Sequence, residues 1–117
     1  MTKNTNSTRF YSRKQEEHVA NKLEGYVVVN SGAGLFNKGD VVINRASCLI
    51  ECKTCLTDKN SFSIKKDWIE KNKEEANEMR LDNNALCFSF GPESKQYYII
   101  DEKLMSFLIN KLADEIE

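Results

Sequence analysis

Two short apolar runs, each interrupted by an acid, constrain this chain more than any other feature. Gly39-Asp40-Val41-Val42-Ile43 and Cys48-Leu49-Ile50-Glu51-Cys52-Lys53 have the β-branched and apolar make-up of buried strands. Asn44-Arg45-Ala46-Ser47 between them has turn character, so the pair reads as a hairpin. Symmetric pairing about Arg45 and Ala46 sets Ile43 opposite Cys48, and the same register sets Asp40 opposite Glu51. Directly opposed side chains share a face, with Cβ atoms about 5 Å apart. Lys53, two residues beyond Glu51, points to that face, while Cys48, Ile50 and Cys52 point to the other. Charge is expensive in runs that ought to be buried, and facing carboxylates repel unless a cation or a proton lies between them. Charged groups in such a place usually serve a site.

The rest of the chain supplies a frame for that hairpin. Met1 to Tyr11 reads as a loose polar tail, and residues 12–117 as one domain. Val19, Ala20 and Leu23 recur at helical spacing after Ser12, a reasonable N-cap, and Gly25 ends the helix. Tyr26 to Asn30 reads as a first strand, followed by the loop Ser31-Gly32-Ala33-Gly34. Beyond the hairpin, a helix over Lys66 to Leu81 turns Trp68 or Ile69, Ala76 and Met79 inward. Leu86 to Phe90 and Tyr97 to Ile100 are two more strands. Asp101 then caps a last helix with a stripe of Leu104, Met105, Leu108 and Leu112. The order is α-β-β-β-α-β-β-α, an α/β fold with a mixed sheet flanked by helices.

At 117 residues the chain has room for one core. No run of about 18 apolar residues exists, and the polar start lacks an apolar signal core, so a cytoplasmic, membrane-free protein is expected. Thiols stay reduced there, and Cys52-Lys53-Thr54-Cys55 lacks the second ligand pair of a zinc site. Net charge is −1, yet residues 1–66 hold 11 Lys+Arg against 6 Asp+Glu and residues 67–117 hold 6 against 12. One half can therefore meet phosphate while the whole stays near neutral.

Two hard oxygen ligands and an ammonium on one patch suit Mg²⁺, which takes one or two carboxylates plus water and substrate phosphate. Mn²⁺ would substitute. The metal would polarise a phosphodiester and lower the pKa of a bound water, with Lys53 orienting that water or offsetting charge on the phosphorane. Glu16 lies on the apolar face of the first helix, where it offers a further metal or water contact, with Glu17 as the fallback. Arg9, Arg13, Lys14, Lys38, Lys65 and Lys66 are candidate phosphate contacts. Ser31-Gly32-Ala33-Gly34 is not followed by the Lys-Ser/Thr of a P-loop, so no nucleotide cofactor is expected. Trp68, Phe88 and Phe90 can stack on bases, but their spacing favours core packing.

Taken in order, Gly39-Asp40-Val41-Val42 and Ile50-Glu51-Cys52-Lys53 resemble the core motif of PD-(D/E)xK nucleases. With the helix around Lys14-Gln15-Glu16-Glu17, the loop Ser31-Gly32-Ala33 and the stretch Ser61 to Trp68, the chain is similar to archaeal and phage-encoded Holliday-junction resolvases over residues 12–108. Gly39 stands where that motif usually has proline. The resemblance implies a restriction-endonuclease-like sheet and a homodimeric, Mg²⁺-dependent enzyme that cuts branched DNA at four-way junctions. It also implies Glu16, Asp40 and Glu51 as acidic ligands, Lys53 as the catalytic lysine, and Ser31 as a loop contact to the scissile strand. Other readings of the same site are a restriction-like or nicking nuclease of another DNA, or a non-catalytic DNA-binding module. An interaction protein using its acidic C-terminal helix is a third class.

Overall fold

The computed structural model describes residues 3–28, 40–92 and 95–116, with side chains from Arg9 onward. It contains α1 (Lys3–Leu23), β1 (Tyr26–Val27), β2 (Asp40–Ile43), a 3₁₀ turn (Asn44–Ala46), β3 (Cys48–Lys53), α2 (Lys66–Glu78), β4 (Asn83–Phe88), β5 (Tyr97–Ile99) and α3 (Glu102–Ile116). The five strands form one mixed sheet in chain order, β1-β2-β3-β4-β5. Only the β3/β4 pair is parallel, with α2 as its crossover; the other neighbours are antiparallel.

Alternation along the central strands divides the core in two. Val41, Ile43, Ile50, Ala85 and Cys87 pack with Val19 and Ala20 of α1. Val42 and Leu49 face the other way and pack with Ala76 of α2, supported by Met79 and Leu81. The central strands β2, β3 and β4 are thus buried between α1 and α2, as their near-continuous apolar runs require. No helix is long and apolar enough to cross a membrane among the described residues.

Several local boundaries differ from the sequence expectation. The first helix begins at Lys3, so the expected tail joins it, and Ser12 lies inside the helix rather than at its cap. The Ser12 hydroxyl instead pairs with Thr54 Oγ1 at 2.9 Å. At the other end of α1 the left-handed residue is Glu24, with φ of 59°. The Gly25 amide then bonds the Ala20 carbonyl at 2.8 Å. Glycine is needed at 25 for a different reason: a Cβ there would collide with the Val42 carbonyl oxygen and Ile43 Cδ1. The α2 helix stops at Glu78, and Arg80, with φ of 60°, lets the Leu81 amide close on Ala76 at 2.8 Å. Strand β4 starts at Asn83, earlier than expected, and ends at Phe88. Asp101 does cap α3, its Oδ1 accepting from the Leu104 amide at 2.8 Å.

Candidate metal centre

The hairpin register is the one the turn symmetry dictates: Asp40 pairs with Glu51, Val41 with Ile50, Val42 with Leu49 and Ile43 with Cys48. Ser47 takes the left-handed conformation that closes the 3₁₀ turn and starts β3, so no residue slips out of register. Asp40 and Glu51 therefore project together onto the α2 face of the sheet. Asp40 is fully buried and Glu51 is 6% exposed.

A third acid joins them from α2. Asn72, Glu75, Ala76 and Met79 follow helical spacing, so the face that presses Ala76 onto Leu49 also carries Glu75 inward. Asp40, Glu51 and Glu75 each offer an oxygen within 4.8 Å of the others, forming the single group of three or more potential ligands among the described residues. Asn72 fixes the helix beside them: its Oδ1 accepts from Asn84 Nδ2 at 2.8 Å, and its amide reaches the Leu49 carbonyl at 3.5 Å.

Lys53 lies at the rim of this group. Its Nζ is 2.7 Å from Glu51 Oε2 and 4.2 Å from the centroid of the Trp68 ring. Salt bridge and ring together hold the ammonium in one place. With all three acids ionised, as ligands must be, they and the one ammonium sum to −2, the charge that one divalent cation neutralises.

Electrostatics record the same strain. Burial pushes the Asp40 carboxyl up from the ordinary 3.8 to about 8, helped by the nearby charges of Glu75 and then Glu51. Glu75 is also raised, by burial and by Glu51, with Lys71 opposing. Both Asp40 oxygens, Glu51 Oε1 and Glu75 Oε1 are buried with no hydrogen-bond donor among the described residues. Buried acceptors without donors are costly, and a cation or shared proton is what relieves them. The residues thus fit a hard, oxygen-liganded divalent ion.

The other expected residues are placed differently. Glu16 is half-buried on α1, across the sheet from Glu75, and is not among the three grouped carboxylates. Its carboxyl is raised by burial and eased by Arg13, and it contributes only the smallest of the effects on Asp40. Parity explains this, since α1 packs on the Val41/Ile50 face while Asp40 and Glu51 project from the opposite one. Glu17 is exposed. Arg9, Arg13 and Lys14 are exposed on α1, and Lys65 and Lys66 are exposed at the start of α2, so the two basic groups lie on opposite sides of the sheet. Ser31 and Lys38 lie outside the described residues. Cys48, Cys52, Cys55 and Cys87 are free thiols; Cys52 packs into the α1 core, and Cys55 donates to the Thr57 carbonyl at 3.0 Å.

Glu75 is the residue that sequence reasoning passed over. The signal was present: a carboxylate beside Ala76 and three residues from Asn72, on the face that Ala76 and Met79 define as buried. The test that singled out Asp40 and Glu51, charge where burial is due, applies equally to helices. Comparison with known proteins finds no matching family model, no similar curated protein and no similar solved structure.

Proposed function

We propose that this chain is a Mg²⁺-dependent, structure-selective DNA endonuclease, a resolvase of four-way junctions on a restriction-endonuclease-like fold. The observation that carries the reading is the buried group of Asp40, Glu51 and Glu75, with the Lys53 ammonium 2.7 Å from Glu51. A structural ion pair explains Lys53 and Glu51 but leaves Asp40 and Glu75 buried and adjacent, with only a shared proton between them. Such a group persists when something pays for it, and a metal-dependent reaction does so.

Asp40, Glu51 and Glu75 would hold the cation, and Mn²⁺ would replace Mg²⁺ on the same oxygens. When bound, the ion supplies Lewis acidity toward a phosphodiester oxygen and a water of lowered pKa. The remaining work falls to this chain's side chains. Lys53, fixed between Glu51 and Trp68, sets a positive charge where negative charge grows on the phosphorane, without having to reorganise. The site lies at the end of β3 and the start of β2, so the strands position its acids while neighbouring segments approach the nucleic acid. Lys65 and Lys66 at the start of α2 would meet phosphates on this face, and Arg9, Arg13 and Lys14 would meet those reached by α1. Resolution of a four-way junction requires two symmetric nicks, hence two copies of the site in a homodimer.

The decisive experiment incubates the chain with a labelled synthetic four-way junction and with a linear duplex of the same sequence, each with Mg²⁺ or EDTA. Junction cutting that needs Mg²⁺ and is abolished by Asp40→Asn, with junction binding retained, is the expected result. Binding without cutting in either Mg²⁺ or Mn²⁺ would leave a DNA-binding module. Equal cutting of both DNAs would leave a general or nicking nuclease.

A further inference from the structure

The two buried cores contain no aromatic residue among those described. Five rings gather instead at one end of the sheet, on the face of the metal centre. The row of β-sheet partners containing Lys53 runs through Phe88 on β4 to Tyr97 on β5, two residues along each strand from the row of Glu51, Leu86 and Ile99 and so on the same face. Phe62, from the segment between β3 and α2, stacks on Phe88 with centroids 5.0 Å apart and planes at 29°. Trp68 lies 6.3 Å from Phe62, and Tyr97 lies 5.9 Å from Phe88, with Phe90 closing edge-on against both Phe88 and Tyr97. Tyr97 is 43% exposed, and Phe62, Trp68, Phe88 and Phe90 are half-buried.

Lysines border this ring cluster. Lys53 Nζ sits over the Trp68 ring at 4.2 Å, Lys65 Nζ lies 5.8 Å from its centroid, and the Lys66 side chain is 89% exposed at the next position. A ring surface that begins at the candidate catalytic lysine and is edged by ammonium groups matches a particular ligand. Unpaired nucleotides offer π-faces to the outward edges and faces of such rings and phosphates to the lysines beside them. A base-paired duplex hides those π-faces. A purely apolar partner would gain nothing from the lysines.

We propose that the surface from Trp68 to Tyr97 is a stacking platform for unpaired nucleotides of the DNA strand whose phosphate lies at the Asp40/Glu51/Glu75 centre. The inference rests on the nuclease reading for its substrate and deepens it. A four-way junction is paired along its arms, so the platform takes bases that open at the branch point beside the cleaved bond, with Phe62, Trp68 and Tyr97 as specificity-determining residues.

Trp68 is the one tryptophan in the chain, so its fluorescence reports directly on the platform. The test titrates the full chain in EDTA with an oligothymidylate of about a dozen nucleotides, a blunt duplex and the four-way junction. Emission of Trp68 and anisotropy of the labelled DNA are followed together. Oligothymidylate is expected to quench Trp68 and to bind at least tenfold more tightly than blunt duplex. Tyr97→Ser and Phe62→Ser should each weaken it about tenfold, the usual worth of one stacked base. Tyr97→Phe, which keeps the ring, should bind as wild type, and circular dichroism melts verify that each variant is folded. Emission of Trp68 unmoved at oligothymidylate saturation overturns the platform, as does wild-type affinity in Tyr97→Ser. A chain that cuts junctions with Mg²⁺ but fails these measurements loses the platform alone. One that passes them but never cuts keeps the platform and loses the nuclease.

Discussion

At Asp40, burial and charge conflict, and the way the conflict resolves sets a pH dependence. The folded chain keeps the Asp40 proton until about pH 8, whereas an unfolded aspartate releases it near 3.8. Between those values the folded state binds more protons, so stability is fully present below the lower value and lost as pH rises through the upper one. Glu75 and Glu16 are raised too and act in the same direction. Metal-free protein should therefore melt at progressively lower temperature from about pH 4 to pH 8, and Asp40→Asn should flatten most of that decline. Calorimetric scans across that range check it, and a midpoint that rises with pH contradicts it. Divalent metal competes with the same proton. Mn²⁺ at about a hundred times its Kd should return about 2.7 kcal/mol at pH 8. The gain should shrink toward pH 6 and vanish in Asp40→Asn.

The three acids also separate by residue. Glu75→Gln should weaken Mn²⁺ binding at least tenfold, because it removes one of three grouped ligands. Glu16→Gln, on the far face of the sheet, should change it several-fold less. Isothermal titration of the two variants discriminates between them, and the opposite ranking would restore Glu16 as the third ligand.

Individual elements show what their residues could and could not reveal. The β2/β3 hairpin was legible in full, because a short turn between apolar strands fixes the register and alternation then fixes the faces. From these two facts alone Asp40, Glu51 and Lys53 come together. The helices were less legible. Met1 to Tyr11 carries polar residues of weak helix propensity, which conceal the first turns of α1. Apolar periodicity located α2, but a pattern read only from apolar residues hides the polar ones on the same face, and Asn72 and Glu75 are such residues. Gly25 illustrates a boundary that is right for an incomplete reason. It follows the end of α1, yet the demand on it comes from β2, whose Val42 carbonyl and Ile43 side chain occupy the space of a Cβ. Gly25→Ala should consequently cost about 1–3 kcal/mol, the range for overpacking against backbone. Urea denaturation measures it. A loss under 0.5 kcal/mol would mean that α1 and β2 separate easily.

At the scale of the whole molecule, α3 is the element whose role an apolar stripe could not determine. The stripe was expected, but a helix pattern does not name the surface that it covers. In the structure Met105, Leu108, Ile109 and Leu112 are each about half exposed, and no residue of α3 is buried. An exposed apolar stripe that runs along a helix about 22 Å long is the kind of surface that marks an interaction site. A second copy of the chain is the occupant that the proposed reaction calls for. An isologous pairing of two α3 helices would bury the stripe against itself and would relate the two Asp40/Glu51/Glu75 groups by one twofold axis. Leu108→Asp with Leu112→Asp should convert a dimer into a monomer in sedimentation velocity. It should leave the pH dependence of the Asp40 centre unchanged, because that centre lies in the β2/β3/α2 layer. Junction cutting should then pass from paired nicks to single, uncoupled ones, seen as a loss of simultaneous cleavage in a supercoiled cruciform plasmid. A wild-type chain that sediments as a monomer at micromolar concentration would remove the second copy from α3 and return the stripe to another partner.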